Sequence, residues 1–133
     1  MGDALIIETS VLVDLDRERR RGRGGRAHDM LARHELDRLF ITATIAGELA
    51  AGTSMRDREA WDQFLAPFPW LAIDESVAWH FGEAYRYLQR TGQLIGTNDL
   101  WISATGLAYG VPVMTRNGTE FGRVPGLHVI TYA

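Results

Sequence analysis

The chain has 133 residues, 46% of them apolar and 23% charged, with a formal net charge of −3 and no cysteine. That length suits one domain over residues 1–133, able to bury roughly two-thirds of its unfolded surface without a covalent staple. The absence of cysteine excludes disulfides, a thiolate metal site and a Cys nucleophile; because all 14 cations are Arg, Schiff-base and P-loop-lysine chemistry are excluded too.

Residues 4–8 (Ala-Leu-Ile-Ile-Glu) are brief, apolar and partly β-branched, the pattern of a buried strand. The chain enters that strand with no charged-then-apolar leader, and no apolar stretch nears the roughly 20 residues of a membrane span, so a cytoplasmic location without membrane contact is expected. Thr9 or Ser10 can cap a helix from Val11 to about Arg17. Residues 17–26 set six Arg against one Glu among glycines, a basic segment on an acidic chain, expected as a mobile loop. A helix resumes near Ala27, with Met30, Leu31, His34 and Leu39 as its buried stripe. Residues 39–41 read as a second strand, and Thr42 or Thr44 caps a helix ending near Gly52. Another helix spans about 55–65 and stops before Pro67 and Pro69. Residues 70–73 read as a third strand, and Asp74 caps a long helix to about Arg90. Thr97 or Asn98 caps a helix over 99–109, with Gly110 just past its end. Residues 111–115 are a fourth strand, Asn117-Gly118 a turn, and 127–131 a fifth, edge strand. This alternation implies an α/β fold with a mainly parallel, roughly five-stranded sheet.

Four acids stand where strands meet helices. Glu8 ends the first strand, Glu48 lies early in the helix after the second, Asp99 opens a later helix, and Glu120 follows the fourth strand. In an open parallel sheet the carboxyl ends of the strands form one rim, and ligands bind there. Carboxylates gathered on it repel one another unless a hard cation sits between them, which points to Mg²⁺ or Mn²⁺. Such a cation makes hydroxide available near neutral pH and neutralises charge on a phosphoryl oxygen.

At these residues the sequence resembles the PIN-domain ribonucleases, in particular the VapC-type toxins of type II toxin–antitoxin systems. The resembling pieces are 5–13 (Leu-Ile-Ile-Glu-Thr-Ser-Val-Leu-Val), 42–52 (Thr-Ala-Thr-Ile-Ala-Gly-Glu-Leu-Ala-Ala-Gly), 96–105 (Gly-Thr-Asn-Asp-Leu-Trp-Ile-Ser-Ala-Thr) and 112–127, which contains Thr-Arg-Asn-Gly-Thr-Glu-Phe. The resemblance implies a three-layer α/β/α sandwich and a metal-dependent endoribonuclease that cuts structured RNA, tRNA or rRNA, leaving 5′-phosphate and 3′-hydroxyl ends. It also implies a homodimer and a VapB-type antitoxin that blocks the site. It assigns Glu8, Glu48, Asp99 and Glu120 to catalysis, Glu8 and Asp99 to the metal, and Ser10, Thr115 and Asn117 to its support. One departure stands out: the family's first acid is usually Asp, and here it is Glu8. The extra methylene leaves three readings open: a longer ligand that works, a weakened enzyme, or a substitution introduced to tame a toxic protein. The alternative function is accordingly a catalytically weakened PIN-like binding module acting through its antitoxin complex.

Arg19, Arg20, Arg21 and Arg23 of the basic segment are candidates for gripping RNA phosphates. Asp14-Leu15-Asp16 imitates the paired acids of aspartate-based phosphatases, but it falls about two helical turns past the first strand and the required lysine is missing. The four histidines show no ligand spacing.

Overall fold

The computed structural model describes residues 2–132. Its core is a five-stranded, wholly parallel sheet, ordered β3-β2-β1-β4-β5. The strands are β1 (Ala4–Ile7), β2 (Arg38–Thr42), β3 (Trp70–Leu71), β4 (Val113–Thr115) and β5 (Val129–Thr131). Seven helices accompany them: α1 (Thr9–Arg20), α2 (Arg26–Arg33), α3 (Ala43–Ala51), α4 (Arg58–Leu65), α5 (Glu75–Arg90), α6 (Thr97–Tyr109) and α7 (Gly118–Phe121), with one 3-10 turn at Thr53–Met55. This is the α/β/α sandwich expected from the sequence.

The central strand explains the order. Leu5, Ile6 and Ile7 are buried, as befits a parallel strand covered on both faces. Ile41, Val113 and Met114 on the neighbouring strands are fully buried with them, and Val11, Leu12 and Leu15 of α1 and Ile45 and Leu49 of α3 join that cluster. Each such side chain contributes about 1.5–3 kcal/mol when taken out of water. A second cluster of Ala84, Leu88, Leu100 and Val124 holds α5 to α6, where Phe81 stacks on Trp101 at 4.0 Å between ring centroids.

Several local expectations hold. The side chain of Asp74 accepts from Val77 N–H at 3.1 Å and that of Thr42 from Ile45 N–H at 3.3 Å, capping α5 and α3. Gly110 takes the left-handed conformation at φ +66°, closing α6.

Others need correction. The basic segment is not a loop along its length: α1 continues to Arg20, so Arg17, Arg19 and Arg20 are helical. The reason is Glu18, which is buried at the end of α1 and accepts from the backbone N–H of Ala27 (3.0 Å) and His28 (2.9 Å). One carboxylate thereby satisfies two orphan donors at the start of α2 and ties the two helices together. Thr9 and Ser10 are not caps; Glu8 holds the N-cap position and both hydroxyls lie within the first turn. Likewise α6 begins at Thr97 behind Gly96, with no side-chain cap. Helix α2 ends at Arg33, and β3 and β4 are shorter than expected. Asn117-Gly118 leads into α7 because fully buried Phe121 pulls the segment into a helical turn.

Strand order places the ligand rim. From β1 the chain builds outward through β2 and β3, then returns to build β4 and β5 on the other side. The reversal lies between β1 and β4, and in open α/β sheets ligands bind at such a point, outside the carboxyl ends of the strands.

Candidate active site

Glu8 stands at the carboxyl end of β1 and Thr115 ends β4, so the two face each other across the switch point. Glu8 is 3% exposed. Its Oε1 accepts hydrogen bonds from Ser10 Oγ and Thr115 Oγ1, both at 2.6 Å. Charge-assisted bonds of that length are about twice as strong as neutral ones, which makes a buried carboxylate tolerable. The supporting hydroxyls are fixed in turn: Ser10 Oγ accepts from Arg116 N–H at 2.9 Å, and Thr115 Oγ1 accepts from Asn117 N–H at 2.9 Å. Asn117 thus reaches this network through its backbone, while the residue itself is exposed.

Glu48 approaches from α3. Its Oε1 accepts from Thr9 Oγ1 at 2.6 Å and its Oε2 from Asn98 Nδ2 at 3.3 Å. Sequence reasoning gives Thr9 and Asn98 only a capping role; their functional signal is adjacency to Glu8 and Asp99 in the chain. Asp99 occupies the first turn of α6, and Glu120 lies on α7.

The electrostatics join all four acids. Burial raises the Asp99 carboxyl from the usual 3.8 to about 6, and the charges of Glu8, Glu48 and Glu120 push it in the same direction. The amino end of α6 opposes them, because a helix dipole favours a first-turn anion by about 0.3–1 kcal/mol. Raising a carboxyl from 3.8 to about 6 takes about 3 kcal/mol, so burial and the three neighbouring charges win. The rim is therefore an under-neutralised cluster of oxygen donors. Glu8 and Glu48 lean toward hydroxyls and an amide rather than toward one another. Among the described residues no three carboxylates or histidines stand at metal-ligand spacing. The donor set is nonetheless all oxygen, hard and in excess of its own neutralising charge, which fits a hard divalent cation.

The basic candidates lie elsewhere. Arg19 sits over the Phe64 ring at 5.5 Å, and Arg20 bonds Asp16 (3.0 Å) and the Ser54 carbonyl (2.9 Å). These guanidinia engage the far end of α1 and its neighbours rather than the acidic rim. Arg21 and Arg23 are exposed in the short connection to α2.

Comparison with known proteins bears on the family of the chain. The family model of the PIN domain matches residues 5–127. Ribonuclease VapC1 of Methanocaldococcus jannaschii is 30% identical over 121 residues, covering 90% of this chain and 80% of the relative. Ribonuclease VapC of Rickettsia bellii is 27% identical over 135 residues, covering 96% and 95%. Among solved structures, that of VapBC2 from Rickettsia felis bound to a DNA fragment from its promoter superposes with a TM-score of 0.83 at 20% identity, over 98% of this chain and 99% of that one.

Proposed function

Because this chain belongs to the PIN-domain family, among the VapC ribonucleases, we propose that it is the toxin of a toxin–antitoxin pair and a Mg²⁺- or Mn²⁺-dependent endoribonuclease acting on structured RNA, tRNA or rRNA. The observation that supports the catalytic reading is the convergence of side chains from separate elements: Glu8 on Ser10 and Thr115, and Glu48 on Thr9 and on Asn98, the chain neighbour of Asp99, with the Asp99 carboxyl raised by burial and by the charges of Glu8, Glu48 and Glu120.

Asp99 and Glu8 are the residues that would hold the cation, with Glu48 and Glu120 orienting water around it. When bound, the ion supplies hydroxide at neutral pH and positive charge against the phosphoryl oxygens. The remaining work falls to the chain. Ser10 and Thr115 fix the rotamer of Glu8, and Thr9 and Asn98 fix that of Glu48. Fixing both carboxylates in advance removes reorganisation at the moment of reaction. The same four charges repel an RNA phosphate from the metal-free rim, so the scissile phosphate and the cation are expected to bind interdependently, whereas RNA contacts away from the rim need no ion.

A VapB-type antitoxin is the expected partner, supported by the VapBC assembly that this fold resembles. A homodimer is expected on the same family grounds. A cytoplasmic location is expected on family grounds, and no helix among the described residues is long and apolar enough to cross a membrane. The test is cleavage of total tRNA with Mn²⁺ and with EDTA. Asp99→Asn should abolish the Mn²⁺-dependent cut with the fold intact; undiminished cleavage removes Asp99 from the mechanism.

A further inference from the structure

Beside the acidic rim lies a groove that the catalytic reading leaves unused. It consists of two cavities, of about 350 and 410 Å³, that share Arg26 and Tyr132. Arg17, Arg21 and Arg116 line the first, and Arg33 lines the second. Five guanidinia therefore border two adjoining cavities. Three carboxylates share the lining: Asp29 stands exposed in the second cavity, whereas the two in the first are committed. Glu18 is buried under two backbone N–H groups. Asp14 accepts from Arg116 Nη1 at 2.7 Å and from the Tyr132 hydroxyl at 2.8 Å, with Arg17 at 3.8 Å.

One lining residue, Arg116, ties the groove to the catalytic acid. The Arg116 N–H donates to Ser10 Oγ, which donates to Glu8, while the Arg116 side chain reaches Asp14 at the groove wall. Arg17 in the last turn of α1 and Arg21 at its C-cap are one helical turn apart, roughly 6 Å; Arg26 and Arg33 are two turns apart on α2, roughly 10 Å. We infer that this groove binds the sugar–phosphate backbone of a single RNA strand as it leaves the scissile position, an assignment that rests on the nuclease reading of the rim. It moves the RNA contacts from Arg19 and Arg20, which line neither cavity, to Arg17, Arg21, Arg26, Arg33 and Arg116, which do. Phosphates suit this wall, because guanidinia offer paired donors and released counterions drive association. An acidic protein segment suits it less, since protein hot spots centre on buried apolar anchors and this wall is mostly charged.

The test measures binding apart from cleavage. A short fluorescein-labelled single-stranded RNA is titrated with the full chain in EDTA, by anisotropy, between about 50 and 200 mM salt. The Arg21→Gln/Arg33→Gln chain should bind all sequences more weakly, with a salt slope shallower by about 1.4, or about 0.7 for each lost phosphate contact. Arg21→Lys/Arg33→Lys should restore the slope, and Arg90→Gln on α5 should leave it unchanged. Circular dichroism checks that each variant is folded. An unchanged slope in the double Gln chain, or no RNA binding by the parent, overturns the groove. So does polyglutamate binding that is tighter than RNA binding and lost in the double Gln chain, which would assign the wall to an acidic protein. Groove-dependent binding without Mn²⁺-dependent cleavage would strike the nuclease reading and leave the groove standing. Cleavage at parental KM by the double Gln chain would do the reverse.

Discussion

Asp99→Asn should move stability and activity in opposite directions. The Asp99 carboxyl is raised from 3.8 to about 6 by burial and by Glu8, Glu48 and Glu120. Between those two values the folded chain holds a proton that the unfolded chain has released. Stability therefore falls as pH rises through that window, and near pH 7 the ionised Asp99 is a liability. The whole of that rise would amount to about 3 kcal/mol. Solvent reaches this partly exposed group, so about half of that is a fair expectation. Asn also forfeits the favourable first-turn charge on α6, about 0.5 kcal/mol. The net gain for Asp99→Asn is about 1 kcal/mol, or roughly 3–5 °C in Tm for a chain of this size. Thermal melts in EDTA near pH 7 should show the variant more stable than the parent, with the difference vanishing toward pH 4. Excess Mn²⁺ should invert the ranking, because a ligand at about 100 times its Kd stabilises the parent by about 2.7 kcal/mol while the variant has lost a ligand. A variant that is less stable than the parent in EDTA, or that keeps the whole Mn²⁺ effect, refutes the electrostatic argument.

Three further outcomes follow from the same geometry. Glu8→Asp should raise Mn²⁺-dependent tRNA cleavage, by up to about 100-fold if the longer side chain displaces the carboxylate by an ångström; an equal or lower rate would mean that Ser10 and Thr115 already hold Glu8 where the reaction needs it. Ser10→Ala removes a donor to a buried carboxylate and the acceptor for Arg116 N–H. It should cost about 1–3 kcal/mol in urea denaturation and lower cleavage with it. Gly106→Ala would set a Cβ 2.9 Å from Leu127 Cδ1 and 3.0 Å from the Val111 carbonyl. It should lower stability by about 1–3 kcal/mol, and an unchanged Tm would mean that the backbone after α6 gives way.

Much of the fold is legible in the sequence because its signals are local. Residues 5–7 announce a doubly covered strand through an unbroken apolar run, and Asp74 and Gly110 mark helix ends by chemistry that acts within four residues. Of the acids, Glu8 is legible for a related reason, because strand-end positions in a parallel sheet share a rim whatever their separation in the chain, whereas Glu48, Asp99 and Glu120 stand on α3, α6 and α7, and α6 follows another helix rather than a strand. What escapes the sequence is long-range. Glu18 reaches nine and ten residues ahead to cap α2, so the basic run reads as a loop. Asp14 pairs with Arg116 across 102 residues and with Tyr132 across 118, and no spacing rule signals a groove built that way. Thr9 and Ser10 carry typical cap chemistry, and only the structure shows their hydroxyls turned toward carboxylates.

Whether one divalent ion is shared by acids brought from distant parts of the chain is settled most directly by anomalous diffraction from crystals soaked in Mn²⁺. A single strong peak is predicted within about 2.0–2.2 Å of oxygens from both Asp99 and Glu8, with Glu48 and Glu120 reached directly or through water. No peak at the rim, or a peak bound only by carboxylates on another face, would contradict a shared ion.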